Sequence, residues 1–412
     1  TMETKKMITK EDLIGIVKLQ KEELKQFGYG VEREKAKELK LNLQFALILS
    51  GVRRSGKSTL MRQLMKKVKG PYYFNFEDPR VINFEVSDFQ KLDEVFRKLY
   101  DKQEYYFFDE IQNVPKWELF VRRLVDSKKN VIITGSNASL LSKELGTRLT
   151  GRHLTYEIFP FSYKEFLYFT KEKQGIDSFN RYLFDGGFPE YLRVHFPNLL
   201  QDLLKDIIAR DIVTRHKVRN VATLNAMAIY LITNIGKEFS YNALKKLFKL
   251  GSINSIISFV SYFEDSYLLF TVPRFDYSMK KRIVFPKKIY CIDNGLASKN
   301  STSFSQDKGR MLENLVFITL RRNKRDEIYY FKENRECDFV VRNGHEIAKA
   351  IQVCYDFNDD NKDREIEGLQ EAMTRFKLKE GLILTYNQED EFKIGHYAIK
   401  VKPVWKWLLS KD

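Results

Sequence analysis

Gly51-Val52-Arg53-Arg54-Ser55-Gly56-Lys57-Ser58 is a complete G-x-x-x-x-G-K-[ST] phosphate loop, and it follows the apolar run Phe45-Ala46-Leu47-Ile48-Leu49. The order of strand, glycine loop and helix is what a triphosphate requires. Glycines let backbone N–H groups curl round the phosphates, a helix starting near Ser58 aims its positive end at them, and Lys57 adds a point charge. Gly51, Val52, Arg53, Arg54, Ser55, Gly56, Lys57, Ser58 and Thr59 are therefore the expected cradle for ATP, with Mg²⁺ held by the Ser58 hydroxyl.

A second motif follows at a fitting distance. Tyr105-Tyr106-Phe107-Phe108 is an apolar run of the kind that forms a buried parallel strand, and it ends in Asp109-Glu110. One strand over from the phosphate loop, Asp109 would hold the Mg²⁺ together with Ser58. Glu110 would orient and polarise the attacking water. A third strand, Val131-Ile132-Ile133-Thr134, runs into Gly135-Ser136-Asn137. Asn137, at the tip of a neighbouring strand, is the candidate to hydrogen-bond the γ-phosphate or the lytic water.

Composition sets outer bounds. A chain of 412 residues with 43% hydrophobic content has material for two or three cored domains. Its 71 basic against 55 acidic residues give +16, which favours a polyanionic partner, with nucleic acid ahead of membrane. Cys291, Cys337 and Cys354 lie far apart, which points to reduced thiols in a cytoplasmic protein and no zinc site. No signal peptide and no membrane-spanning run is legible, so no membrane partner is expected.

Residues 1–42 read as a charged helical arm interrupted at Gly28-Tyr29-Gly30, with Leu13, Ile16, Val17 and Leu24 on one side; packing, not chemistry, is its expected role. From 43 to 170, strands alternate with helices at Ser58 to Val68, Phe89 to Tyr100 and Trp117 to Val125, which means a three-layer sandwich on a parallel sheet. Arg148 and Arg152, expected on the phosphate-facing edge, are the candidates for an arginine finger acting on an adjacent subunit. Residues 171–222 are helical and aromatic, as a lid would be. Residues 223–295 show three short helices, a strand, a basic Met279-Lys280-Lys281-Arg282 tip and a return strand. That is the pattern of a winged helix whose Lys280, Lys281 and Arg282 would touch DNA phosphates.

With these features in this order, the chain resembles AAA+ ATPases of the archaeal-type P-loop family, whose C-terminal region looks like a PD-(D/E)xK restriction-endonuclease fold. The resemblance covers nearly the whole chain beyond the first forty or so residues. It implies an α/β architecture: a three-layer P-loop NTPase domain with a helical lid, a winged-helix domain, and a restriction-endonuclease-like α/β domain over 305–412. It also implies ATP hydrolysis, and self-association into an oligomer is expected besides. In the nuclease family a helix glutamate, a strand aspartate and a Glu-x-Lys on the next strand build a Mg²⁺ site. Glu313 and Asp338 match here, but Gln352 stands where the second carboxylate belongs and Cys354 where the lysine belongs. An amide is a poor ligand for hard Mg²⁺ and a thiol supplies no cation, so a degenerate site without nuclease activity is expected. The expected function is a Mg²⁺-dependent ATPase that binds DNA and remodels DNA or a complex. The alternatives are an ATP-controlled switch acting on a protein partner and an active ATP-dependent nuclease.

Overall fold

The computed structural model describes residues 7–137, 149, 151–196, 198–303, 307–323 and 326–410. The chain divides into two compact units, Thr1–Ile158 and Phe159–Asp412.

The first unit is built on a five-stranded sheet in the order β2-β3-β4-β1-β5. Its strands are β1 (Ala46–Ser50), β2 (Tyr72–Asn75), β3 (Tyr105–Asp109), β4 (Asn130–Gly135) and β5 (His153–Glu157), and every pairing is parallel. Period-two alternation sorts each strand onto two cores. Ala46, Ile48, Tyr106, Phe108, Val131 and Ile133 pack on one face with helices α1 (Lys10–Gln26), α4 (Asp88–Tyr100) and α5 (Trp117–Asp126). Leu47, Leu49, Phe107 and Ile132 pack on the other with α2 (Glu34–Glu38) and α3 (Lys57–Met65). Both faces of the sheet are covered, which is why its strands read as unbroken apolar runs. The first face is lined with aromatics: Phe89 stacks on Phe120 with ring centroids 4.6 Å apart, and Tyr72 stacks on Phe96 at 4.7 Å.

One expectation is corrected here. The acidic pair is not on the strand beside the phosphate loop, because β4 lies between β1 and β3. The register Ser50↔Gly135 nevertheless brings the loop and the end of β4 to the same edge, and Phe108↔Ile133 brings Asp109 there too.

The second unit begins with helices α6 (Tyr163–Thr170), α7 (Ile176–Asp185), α8 (Pro189–Val194) and α9 (Leu199–Asp206), the last continuing as a π-helix over Ile207–Thr214. Helices α10 (Val221–Thr233), α11 (Tyr241–Leu247) and α12 (Ile253–Asp265) follow, with a three-stranded sheet in the order β6-β8-β7. Its strands are β6 (Glu238–Phe239), β7 (Leu269–Pro273) and β8 (Lys287–Cys291). The expected two-stranded hairpin thus gains a third strand, and its tip is not a loop. Met279–Val284 forms a short helix, α13, with no buried residue.

Beyond α14 (Asn294–Asn300) and α15 (Lys308–Arg321) lies a six-stranded mixed sheet in the order β13-β14-β12-β11-β10-β9. It comprises β9 (Asp326–Lys332), β10 (Glu336–Asn343), β11 (Glu346–Cys354), β12 (Glu380–Thr385), β13 (Asp390–Ile394) and β14 (Tyr397–Pro403), with α16 (Lys362–Phe376) packed on it and α17 (Val404–Trp407) at its end. Buried polar side chains tie the unit together. Asp293 accepts from the N–H groups of Gly187 at 2.7 Å and Leu296 at 3.0 Å. Asn294 donates to the carbonyls of Leu183 and Met311.

Candidate nucleotide site

The carboxyl edge of the parallel sheet gathers the first set of predicted residues. Gly56 caps α3 at φ 93°, ψ 23°, a left-handed conformation that a side chain resists. A Cβ there would also lie 2.7 Å from Arg33 Nη1, and one on Gly51 would lie 2.1 Å from the Ile158 carbonyl oxygen. Both glycines are therefore required by the loop itself. Lys57 is 4% exposed and its ammonium donates to the carbonyls of Gly51 and Val52, each at 3.0 Å. The Ser55 hydroxyl is buried with no hydrogen-bond partner among the described residues. An orphaned donor inside a left-handed glycine loop at a helix N-terminus fits an anion, so this cradle suits the triphosphate. Arg53 pairs with Glu77 at 2.9 Å, and the Thr59 hydroxyl accepts from Arg62 at 3.1 Å.

Ser58 and Asp109 meet as expected, with Ser58 Oγ donating to Asp109 Oδ1 at 3.2 Å. Burial, followed by the charge of Glu110, pushes the Asp109 carboxyl above the usual aspartate range, and a divalent cation at this hydroxyl and carboxylate would offset both effects. Glu110 sits at φ 51°, ψ 43°, a strained position for a non-glycine residue. Its carboxylate is 3.8 Å from Lys57 Nζ and accepts from the Gln112 amide. Thr134 joins the two acids: its hydroxyl donates to Asp109 and accepts the Glu110 N–H at 2.9 Å. Asn137 is buried at the same edge, and its carbonyl accepts from Ser50 Oγ at 2.7 Å.

The two finger candidates fare differently. Arg148 lies outside the described residues. Arg152 is not on the phosphate-facing edge. Its carbonyl accepts from the N–H of Ala46, at the start of β1, so it lies about 16 Å of strand from the loop at about 3.3 Å per residue, and its side chain pairs with Asp126 at 2.8 Å. The reason is that β5 runs parallel to β1, so a residue just before it falls at the opposite edge.

Sequence reading missed Arg33 and Thr134. Arg33 is 3% exposed, and its Nη1 donates to the Ser55 carbonyl at 2.7 Å. The segment carrying it is strapped to α3 by Gln63, whose amide donates to the Tyr29 and Val31 carbonyls and accepts the Arg33 N–H. The arm expected only to pack therefore also holds the phosphate loop. The glycines flanking Tyr29 were the one legible hint.

In the second unit Glu313, Asp338 and Gln352 do converge, but around a residue the sequence did not nominate. Lys288, on β8, is 3% exposed, and its Nζ lies 2.9 Å from Glu313, 2.8 Å from Glu336 and 3.0 Å from Asp338. Burial opposes its charge, but Glu313, Tyr290, Asp338 and Glu336 hold its pKa well above the ordinary lysine value. Gln352 donates to Glu365 at 2.5 Å and accepts the Asp338 N–H at 3.2 Å. Burial raises the Cys354 thiol to about 12, which removes any ionic role at neutral pH. These groups floor an open cleft of about 640 Å³. Of the three expected DNA contacts, Lys280 and Lys281 are exposed, Lys281 being 3.5 Å from Asp276, whereas Arg282 turns inward to donate to the Tyr329 hydroxyl at 3.1 Å.

Among the described residues no helix is long and apolar enough to cross a membrane. Residues 44–167 match the family model of an AAA domain, and residues 176–307 match a domain of unknown function, DUF8612. The chain is 37% identical over 404 residues to the uncharacterized protein MJ1544 of Methanocaldococcus jannaschii, covering 90% of each chain. It is 29% identical over 393 residues to an uncharacterized protein of Haemophilus influenzae, covering 89% of this chain and 94% of that one. Among solved structures, AMPPCP-bound DnaA from Aquifex aeolicus aligns at 16% identity over 58% of this chain and 90% of its own, with a TM-score of 0.30, too loose a superposition to bear on the fold. The chain belongs to the family of the M. jannaschii protein and carries, over residues 44–167, an AAA domain of the P-loop ATPase type.

Proposed function

We propose that this protein is a Mg²⁺-dependent ATPase of the AAA+ class that binds DNA and couples hydrolysis to remodelling of DNA or of a complex on it, working as an oligomer. The observation that carries the ATPase reading is the junction of Ser58, Asp109, Thr134 and Glu110 at one edge of the sheet. The loop and Lys57 bind the β- and γ-phosphates. Ser58 and Asp109 hold the metal, which when bound supplies charge neutralisation to the γ-phosphoryl group. Glu110 polarises water, and Asn137 donates to the γ-phosphate or that water. Arg148 remains the candidate for a charge supplied to a neighbouring subunit.

The test is a pair of variants. Lys57→Ala should abolish nucleotide binding, and Glu110→Gln should leave binding intact and stop turnover. Undiminished hydrolysis by Glu110→Gln would remove the catalytic assignment.

DNA binding rests on the net charge of +16 and on the exposed Lys280 and Lys281. Residues 223–295 are read as a winged helix, 171–222 as a lid, and 305–412 as a nuclease-like fold that does not cut. One observation favours a protein partner instead. Tyr277, Met279, Ile283 and Val284 are all at least 65% exposed on and beside α13, an apolar cluster that a switch could present. Titration of duplex binding against salt separates the two readings, because phosphate contacts weaken steeply as salt rises.

A further inference from the structure

The nuclease resemblance implies a divalent cation between Glu313 and Asp338, and the residues present do not fit one. Among the described residues no group of three or more His, Cys, Asp or Glu side chains is placed to hold a metal ion. The place is instead filled by a charge from the chain. Lys288 Nζ stands 2.8 to 3.0 Å from oxygens of Glu313, Glu336 and Asp338. Those are ammonium-to-carboxylate hydrogen-bond lengths and longer than the about 2.0–2.1 Å of Mg²⁺–O bonds. Two of the other carboxylate oxygens are also committed: Asp338 Oδ2 accepts the Val353 N–H at 3.0 Å and Lys332 lies 3.3 Å from Glu336 Oε2. Tyr290 donates at 2.6 Å to the same Glu313 Oε1 that Lys288 contacts.

We infer that Lys288 is a built-in cation that closes the divalent metal seat of the C-terminal sheet, so that this cleft binds no catalytic metal as long as the lysine is present. Three carboxylates aimed at one buried point need a positive centre there. The chain supplies it from β8, on a different sheet from Asp338. The same ammonium therefore braces β8 to β10 and α15, which gives the lysine a structural reason to stay. A metal could enter only by displacing a buried ammonium that makes three charge-assisted contacts. The complementary expectation is that removing the ammonium leaves three carboxylates facing one vacated point. Contraction by a few tenths of an ångström then reaches the about 2.3–2.6 Å of Ca²⁺–O bonds. This inference is independent of the ATPase reading, because every residue in it lies in the second unit.

The experiment uses the full chain without nucleotide and Ca²⁺ alone as the probe, read by calorimetric titration and by thermal unfolding. The wild type should give the same titration as Asp338→Asn, with no site lost in the variant. Lys288→Met should melt below wild type, rise by several degrees in millimolar Ca²⁺ and gain a binding site. That gain should vanish in Lys288→Met/Asp338→Asn. If Lys288→Met is recovered only unfolded, refolding should succeed with Ca²⁺ and fail without it. A Ca²⁺ site in the wild type that disappears in Asp338→Asn would overturn the inference, as would a Lys288→Met protein indifferent to Ca²⁺ in folding and in titration.

Discussion

Nη1 of Arg33 donates to the carbonyl oxygen of Ser55 at 2.7 Å, so a residue of the N-terminal arm fixes one peptide of the phosphate loop. Holding that peptide from behind orients the loop before any phosphate arrives, which lowers the ordering cost of binding.

Arg33→Ala should therefore weaken ATP binding. A charge-assisted hydrogen bond contributes about 1.5–3 kcal/mol, which corresponds to an affinity loss of roughly tenfold to a hundredfold. The loss should appear in KM and in direct titration with a non-hydrolysable analogue, while kcat changes little. Arg33→Lys, with a point charge but no planar fork, should fall between. An Ala variant with full affinity would leave Arg33 a packing residue only.

Thr134 carries the second prediction, since one hydroxyl links Asp109 to the Glu110 N–H. Thr134→Val keeps the shape and removes the link, leaving a buried carboxylate and an N–H each short of a partner. Turnover should drop by roughly tenfold to a hundredfold, the range for one misplaced catalytic group, with ATP affinity retained. Thr134→Ser should restore most of the rate. A Val variant with full turnover beside an impaired Ser variant would point to packing of the methyl group as the cause.

Much of the first unit was legible in the sequence because its strands are buried on both faces. Runs such as Ala46–Leu49 and Tyr106–Phe108 have to be apolar throughout, and the phosphate loop has to contain glycine where backbone turns left-handed. The strand order was not legible, because nothing in Val131–Thr134 says that it inserts between β1 and β3. Arg33 was missed because a lone arginine in a charged arm looks solvated, and its burial depends on Gln63, thirty residues away. Lys288 was missed for a similar reason. On β8 it follows Lys287 in a basic stretch, as a wing lysine would, and only the fold brings Glu313 and Asp338, 25 and 50 residues away, to its ammonium.

A pH dependence follows from Asp293, whose carboxyl is raised to about 6 by burial despite the N–H groups of Gly187, Leu296 and Gly295 and the charge of Arg322. Its folded value exceeds its unfolded one, about 3.9, so the folded state binds the extra proton and stability from this group falls as pH rises between about 4 and 6. Asp293→Asn should remove that slope. The amide keeps one acceptor for the N–H groups of Gly187 and Leu296, which Asp293 holds on separate oxygens, so the variant should also be less stable overall at pH 4. Denaturant midpoints of the two proteins across pH 4 to 7 test this, and parallel curves would refute it.

The last prediction separates the three basic residues of α13. Lys280 and Lys281 are exposed, whereas Arg282 donates to Tyr329 and its guanidinium carbon lies 5.8 Å from the centroid of that ring. If α13 touches a duplex, each lysine releases counterions on binding and Arg282 does not. The slope of log affinity against log salt should then shrink by about 2 in Lys280→Gln/Lys281→Gln, at about 0.9 per phosphate contact. In Arg282→Gln the slope should be unchanged, while the melting temperature drops through the lost contact with Tyr329. Should the double variant keep both affinity and slope, the helix tip is not the phosphate-binding surface, and its exposed Met279, Ile283 and Val284 become the stronger evidence for a protein partner there.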